Sequence, residues 1–441
     1  MEPVGAAMAQ NAGMAPLSNL ARRRLRLAFI GVLLGVALAG GAQARGYVPN
    51  GRCGPFERLA LTTPAGTCAA LVADDAQGLR FPRRVLEVAP HRLWLIDMGS
   101  WFPRQGRLLE VTVPTVPPAT GASPAAPSAP LRAQVRVLME GLDRPLALVR
   151  APNGLIYVGE AGRVWRTPVP PPGQPPVPEV VLDGLPSDGA HPLKELAFAP
   201  DGTAYLNVGS FSDACRTDAG ALPYPCPERD GPEQRAAVWR LELAPPGQRP
   251  AVVRREVFAR GLRNSVALAV LPDGPAAGSV WQGENNIDGP DPNFPPEELN
   301  QLTAGGDYGW PYCVGQARPM PGYQGRADCR TTRKPLRLWP AHVAPLQLLA
   351  TPAASSFKGQ LLVAWHGPGK GGQRVVGLAR GSDGRPSGPP TDWISGWQEE
   401  KGVRPRGRPN GLALDHLGRL WVVEDFNRSL IVLMRPDGRG L

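Results

Sequence analysis

From His191 the chain reads HPLKELAFAPDGTAYLNVGS: a short apolar run, a Pro-Asp-Gly turn, then a second run rich in large apolar residues. The same pattern returns as RRVLEVAPHRLWLIDMG from Arg83, RPLALVRAPNGLIYVGEAG from Arg144 and NSVALAVLPDGPAAGSVWQGEN from Asn264. It returns again as LQLLATPAASSFKGQLLVAWHG from Leu346 and PNGLALDHLGRLWVVEDFN from Pro409. Two short apolar segments joined by a Gly- or Pro-built turn predict a β-hairpin. A hairpin cannot bury both faces alone, so six copies must stack, and stacked hairpin repeats close into a propeller. The expected fold is therefore all-β, a six-bladed β-propeller. Long amphipathic helices between the strands, which a doubly wound α/β fold needs, are absent from the pattern.

Hairpin geometry sorts the polar residues by face. The start of the first strand and the end of the second lie at one edge of an antiparallel pair, and the turn lies at the other. Starts and ends of all six hairpins should thus ring one mouth of the axial channel. The starts carry Arg144, His191, Lys194, Arg263, Asn264, His342, Arg406 and Arg408; the ends carry Asp97, Glu160, Glu284, Asn285, Asn286, His366, Glu424 and Asp425. His91 and His416 fall in turns, on the opposite face. Three of the 5 histidines and several arginines therefore converge on one mouth, which suits an anionic ligand.

Composition changes this picture little. With 53 Gly and 53 Pro among 441 residues, the chain favours turns over long helices. The net charge of +10 admits nucleic acid as a partner, but the arginines are spread along the sequence and the chain reads as exported, so none is expected. ARRRLR followed by LAFIGVLLGVALAG and Ala42-Gln43-Ala44 has the charged, apolar and small-residue regions of a signal peptide, with cleavage after Ala44. The apolar run is shorter than the roughly 20 residues that span a bilayer. A periplasmic or secreted domain over residues 45–441 is the expectation, with the Pro- and Ala-rich stretch 115–130 as a low-complexity loop. The 6 cysteines form three close pairs, Cys53 with Cys68, Cys215 with Cys226 and Cys313 with Cys329. Six cysteines allow about fifteen connectivities, of which nearest-neighbour bridges are the simplest. No CxxC occurs, which speaks against a zinc ribbon or a thioredoxin-type site.

FARGLRNSVALAVLPDG, PPEELNQLTAGGDYGWPYC, HPLKELAFAPDG and RPRGRPNGLALD together resemble the soluble pyrroloquinoline-quinone (PQQ)-dependent glucose/sorbosone dehydrogenases, in particular their sorbosone-dehydrogenase-like branch. The resemblance runs from about Arg83 onward, is most specific at DYGWP (Asp307 to Pro311), and implies a six-bladed propeller. It also implies that His191 takes the proton of a substrate hydroxyl while hydride passes to PQQ. Arg263 and Asn264 would polarise the quinone; Lys370 and either Arg404 with Arg406 or Arg406 with Arg408 would bind the cofactor's carboxylates. Calcium, which bridges PQQ in the family, would use oxygens of Asn285 and Asn286, although GENNIDGPD departs from the family's Gly-Pro text there. The substrate implied is a sugar or sugar-derived aldehyde, with an external electron acceptor. Two alternatives share the scaffold: a calcium-dependent lactonase and a ligand-binding propeller without catalysis.

Overall fold

A computed structural model describes residues 47, 49–114, 129–397 and 407–441. The export segment, residues 115–128 of the low-complexity stretch, and Arg404 and Arg406 lie outside the described residues. Six sheets form the blades of a propeller, and a two-stranded sheet stands apart from them.

Blade I runs from Pro82–Ala89 to Gln134–Leu142, blade II from Leu148–Arg150 to Glu179–Leu182, and blade III from Leu196–Phe198 to Val252–Arg260. Blade IV runs from Ala267–Val270 to Arg337–Ala341 and blade V from Pro345–Ala350 to Pro386–Ile394. Blade VI is built from both ends of the domain: Pro409–Leu414, Leu420–Glu424 and Ser429–Met434 continue into Cys68–Ala73, Phe56–Leu59 and Pro49–Cys53. The antiparallel pairing of Ser429–Met434 with Cys68–Ala73 closes the ring. Each hairpin copy is the first two strands of one blade, and the first strands stand side by side around the axis.

The core lies between blades. Six apolar clusters occupy the six seams: Trp94 of blade I meets Trp165 of blade II, Tyr157 of II meets Leu206 of III, and Tyr205 of III meets Leu268 of IV. Trp281 of IV meets Trp365 of V, Leu362 of V meets Val422 of VI, and Trp421 of VI meets Val85 of I. A strand whose two faces are both apolar makes sense only when it is sandwiched in this way. A seventh cluster, with Cys215, Tyr312, Cys313 and Tyr323, lies in insertions outside the blades. The three cysteine pairs are disulfides with Cα separations of 5.9, 6.2 and 5.7 Å.

Candidate active site at the axial mouth

The floor of the mouth is apolar. Leu146, Leu193, Val266 and Leu346, from the starts of four successive blades, pack with Met98, and Phe81 and Trp101 lie against them. Arg84 supports this floor. Its guanidinium donates to Glu195 just before blade III, to the carbonyls of Val266 just before blade IV and Leu346 in blade V, and to Asn410 in blade VI.

His191 stands in a segment, residues 183–195, that belongs to no strand, yet the imidazole is only 4 % exposed. Its Nδ1 lies 3.0 Å from the carbonyl oxygen of Ser210 and 2.9 Å from that residue's Oγ. The Ser210 hydroxyl donates to Ser212 O at 2.6 Å, and a carbonyl can only accept. Nδ1 therefore carries the hydrogen, and Nε2 keeps a lone pair. That Nε2 is buried without a hydrogen-bond partner. Burial, and after it the positive charge of Arg263, hold the imidazole well below its ordinary pKa, so it is neutral near pH 7.

Arg263 is joined to this histidine through Ser210, whose backbone N–H donates to Arg263 O at 2.9 Å. The guanidinium is fully buried and clamped: Nη1 donates to Asn285 O at 2.7 Å and Nε to Asp213 O at 3.2 Å, while Nη2 meets the carboxylates of Asp213 and Asp288. Asn264 is buried beside it, its backbone N–H directed at Glu284.

A second polar group faces the mouth from blades I, V and VI. His366 Nε2 lies 3.0 Å from Asp425 Oδ1, and Asp425 also accepts from Arg83 at 2.5 Å and from Asn410 at 3.0 Å. Burial lowers His366 to about 4 despite that carboxylate. The Asp425 carboxyl is held well below the usual range by His366 and Arg83, against the cost of its burial. Neutral His366 thus donates to ionised Asp425. The Arg83 guanidinium lies 4.8 Å from the Phe81 ring centre and 5.6 Å from that of Trp101. Arg83 and Arg84 begin the first hairpin copy, so register is the sequence signal that points to them.

Other expected site residues have different roles. The acids at the ends of second strands act as staples between loop and blade: Glu160 accepts from Asp143 N at 2.7 Å, Glu284 from Arg263 N at 2.6 Å and Glu424 from Arg408 N at 2.5 Å. Lys194 does not line the mouth. It is fully buried, and its Nζ donates to Pro186 O and Pro192 O at 2.7 and 2.6 Å, securing the segment that presents His191. Burial lowers this lysine to about 7. His342 Nε2 donates to Asp291 O at 2.8 Å, and Lys370 is exposed. Arg408 is half-buried, 5.3 Å from the Phe426 ring centre. Asn285 gives its carbonyl to Arg263, and the Asn286 side-chain oxygen accepts from Ile287 N at 2.8 Å. His91 and His416 meet on the opposite face with ring centres 5.3 Å apart.

The fold has well-matched solved relatives. The calcium structure of a Trichoderma reesei carbohydrate-active enzyme is 19% identical with a TM-score of 0.66, covering 85% of this chain and 97% of that one. The holo PQQ domain of pyranose dehydrogenase from Coprinopsis cinerea is 18% identical with a TM-score of 0.62, again covering 85% and 97%. The PQQ-bound aldose sugar dehydrogenase of Streptomyces coelicolor is 18% identical with a TM-score of 0.52, covering 84% and 99%. Among curated proteins, quinoprotein glucose dehydrogenase B of Acinetobacter calcoaceticus is 30% identical over 150 residues, which are 31% of this chain and 29% of that protein. An uncharacterised protein of Borreliella burgdorferi is 30% identical over 119 residues, 26% of this chain and 31% of that protein. The chain thus matches less than a third of the length of these two relatives. Residues 178–367, which hold His191, Arg263 and the Asn285–Asn286 pair, match the Glucose / Sorbosone dehydrogenase family.

Proposed function

We propose that the chain is a PQQ-dependent dehydrogenase that oxidises a sugar or sugar-derived aldehyde, with His191 as general base. The observation that carries this reading is the orphaned Nε2 of His191, a neutral lone pair buried near the Arg263 guanidinium. The residues suit the cofactor: a flat tricarboxylate needs an apolar surface for its rings and cations for its carboxylates. The Leu146, Leu193, Val266 and Leu346 floor offers the first, and Arg83 and Arg263 the second.

PQQ, when bound, supplies an electrophilic quinone that accepts the hydride of the substrate. The protein's part is to move the proton and fix the partners. His191 Nε2 takes the hydroxyl proton, while Ser210 holds Nδ1–H and so keeps the lone pair on Nε2; help of this kind is worth about 10²–10⁴-fold. Arg263 stabilises negative charge that develops beside it. Calcium would take oxygens of Asn285 and Asn286, whose type suits a hard cation, in place of the bonds they now make.

The lactonase alternative has less support, because Glu160, Glu284 and Glu424 are engaged by backbone N–H groups. Purified chain reconstituted with PQQ and calcium, and followed by cofactor absorbance as aldoses, sorbosone and lactones are added, decides between them. Bleaching of the oxidised cofactor by a sugar or aldehyde is expected. Lactone hydrolysis without any spectral change, or no response to the whole panel, overturns the reading.

A further inference from the structure

On the face opposite the mouth, two histidines meet where blades VI and I adjoin. His91 lies in the turn joining Pro82–Ala89 to Arg92–Asp97, and His416 in the turn joining Pro409–Leu414 to Leu420–Glu424. Their rings stand at 88° to each other with centres 5.3 Å apart. Glu87 of blade I sets His416: its carboxylate accepts the His416 backbone N–H at 2.6 Å and lies 2.8 Å from Nδ1. A carboxylate only accepts, so Nδ1 carries the hydrogen and Nε2 of the neutral ring keeps a lone pair. His91 is set by its backbone, which is left-handed at φ 61° with the carbonyl accepting Val113 N–H at 2.9 Å. The His91 Nδ1 is buried and has no hydrogen-bond partner.

Nothing in the dehydrogenase chemistry uses this pair, and leaving a buried imidazole nitrogen without a partner costs free energy. A metal ion would satisfy it. Zinc sits about 2.1 Å from each imidazole nitrogen, so two rings on one tetrahedral ion have centres roughly 5 Å apart. The observed spacing matches. A histidine ligand also characteristically donates its other ring N–H to a carboxylate, which fixes the ring and raises its basicity, and Glu87 stands in that place. His416 is exposed, so a rotation that brings its Nε2 to the ion displaces only water. Arg150 reaches the same turn, but its Nη2 is engaged by the carbonyls of Glu87 and Val88 at 3.2 and 2.9 Å. Imidazole nitrogens suit zinc or copper rather than a hard, oxygen-seeking ion such as calcium.

We propose that His91 and His416 bind one divalent zinc or copper ion, with Glu87 as the positioning carboxylate and water completing the coordination, so that the ion clips blade VI to blade I. The site is independent of the axial mouth. The test is calorimetric titration of the tag-free, cofactor-free full chain, stripped with EDTA, with zinc chloride and copper chloride. One equivalent should bind and raise the thermal midpoint, because the unfolded chain no longer holds the two rings together, whereas calcium should not compete for the site. His91→Asn, which tolerates the left-handed turn, and His416→Gln should each weaken binding by at least about tenfold, and Glu87→Gln by about tenfold, the lower end for removing such a carboxylate. Electron paramagnetic resonance of the copper-loaded, unsubstituted chain gives a readout that needs no variant: hyperfine structure from two imidazole nitrogens is expected. No binding, hyperfine structure from a single nitrogen, or affinity lost in only one of the two histidine variants overturns the site. So does binding that survives both variants, which would put the ion elsewhere.

Discussion

Arg84 Nε donates to Glu195 Oε2 at 2.7 Å, joining blade I to blade III across the axis of the propeller. Both side chains are buried, and burial alone raises the Glu195 carboxyl while Arg84 pulls it back. Because the same guanidinium also reaches blades IV, V and VI, it fastens the ring at its centre.

Removing one partner of a buried pair strands the other. Arg84→Met should lower stability by about 3–5 kcal/mol, the range for an uncompensated buried charge, whereas Arg84→Met combined with Glu195→Leu should recover much of the loss. Urea unfolding midpoints of the three proteins test this. Equal destabilisation in the single and double variants would show that the carbonyl contacts of Arg84, rather than its charge pair, hold the centre.

Blade IV carries three buried carboxyl groups with raised pKa. Burial lifts Glu284 and Glu297 from 4.5 to about 8 and Glu298 to about 7, with mutual repulsion of Glu284 and Glu298 adding to the first. Between pH 4.5 and these values the folded chain binds more protons than the unfolded one, so stability falls as pH rises. It is full below pH 4.5 and stops falling above about 8. The thermal midpoint of the cofactor-free chain should therefore drop by a few degrees from pH 5 to pH 8.5, at about 2–4 °C per kcal/mol. Glu298→Gln should make the profile shallower. A midpoint that rises across this interval contradicts the assignment.

The repeat was legible because apolar segments and turns are local. The six copies correspond to the first two strands of the six blades, as in Leu196–Phe198 and Ala204–Val208, joined at Pro200-Asp201-Gly202. Register also placed His191, Arg263 and His366 at one end of the hairpins and His91 and His416 at the other. What escaped was long-range. Arg84 and Glu195 are far apart in sequence, and an arginine in a strand reads as a solvent-facing residue until a closed ring surrounds it. The role of Glu284 was hidden for the same reason: an acid at a strand end looks like a metal ligand, and only the folded loop shows the Arg263 N–H in front of it. The closing strand Cys68–Ala73 lacks a hairpin partner of the repeat type, so its place in blade VI left no mark in the pattern.

His191→Ala should leave PQQ bound and slow its reduction in a single turnover by at least about 10²-fold, the lower bound for a positioned base. Ser210→Ala removes the hydroxyl but leaves the carbonyl that fixes the tautomer, so the loss should stay below about tenfold. His342→Ala and His366→Ala, measured alongside, separate His191 from the other two histidines at the starts and ends of strands. If His191→Ala reduces PQQ at the unaltered rate, His191 is a structural residue.

Arg263 is poised between two uses. In this structure Asp213 and Asp288 neutralise it, and an anionic cofactor must compete with them for the same guanidinium. Asp213 is the closer of the two, and its side chain is 39% exposed, so it can turn out toward water when a ligand arrives. Asp213→Asn keeps the shape and removes the competing charge. PQQ should then bind several-fold more tightly, and its affinity should fall more steeply with salt because the site carries one negative charge fewer. Arg263→Ala should act oppositely, weakening PQQ and flattening the salt dependence. Titrations of PQQ into the three proteins at two ionic strengths give both slopes. Parallel behaviour of Asp213→Asn and Arg263→Ala would mean that the Asp213 carboxylate serves to hold the guanidinium in place, and that its loss costs the site more than the freed charge returns.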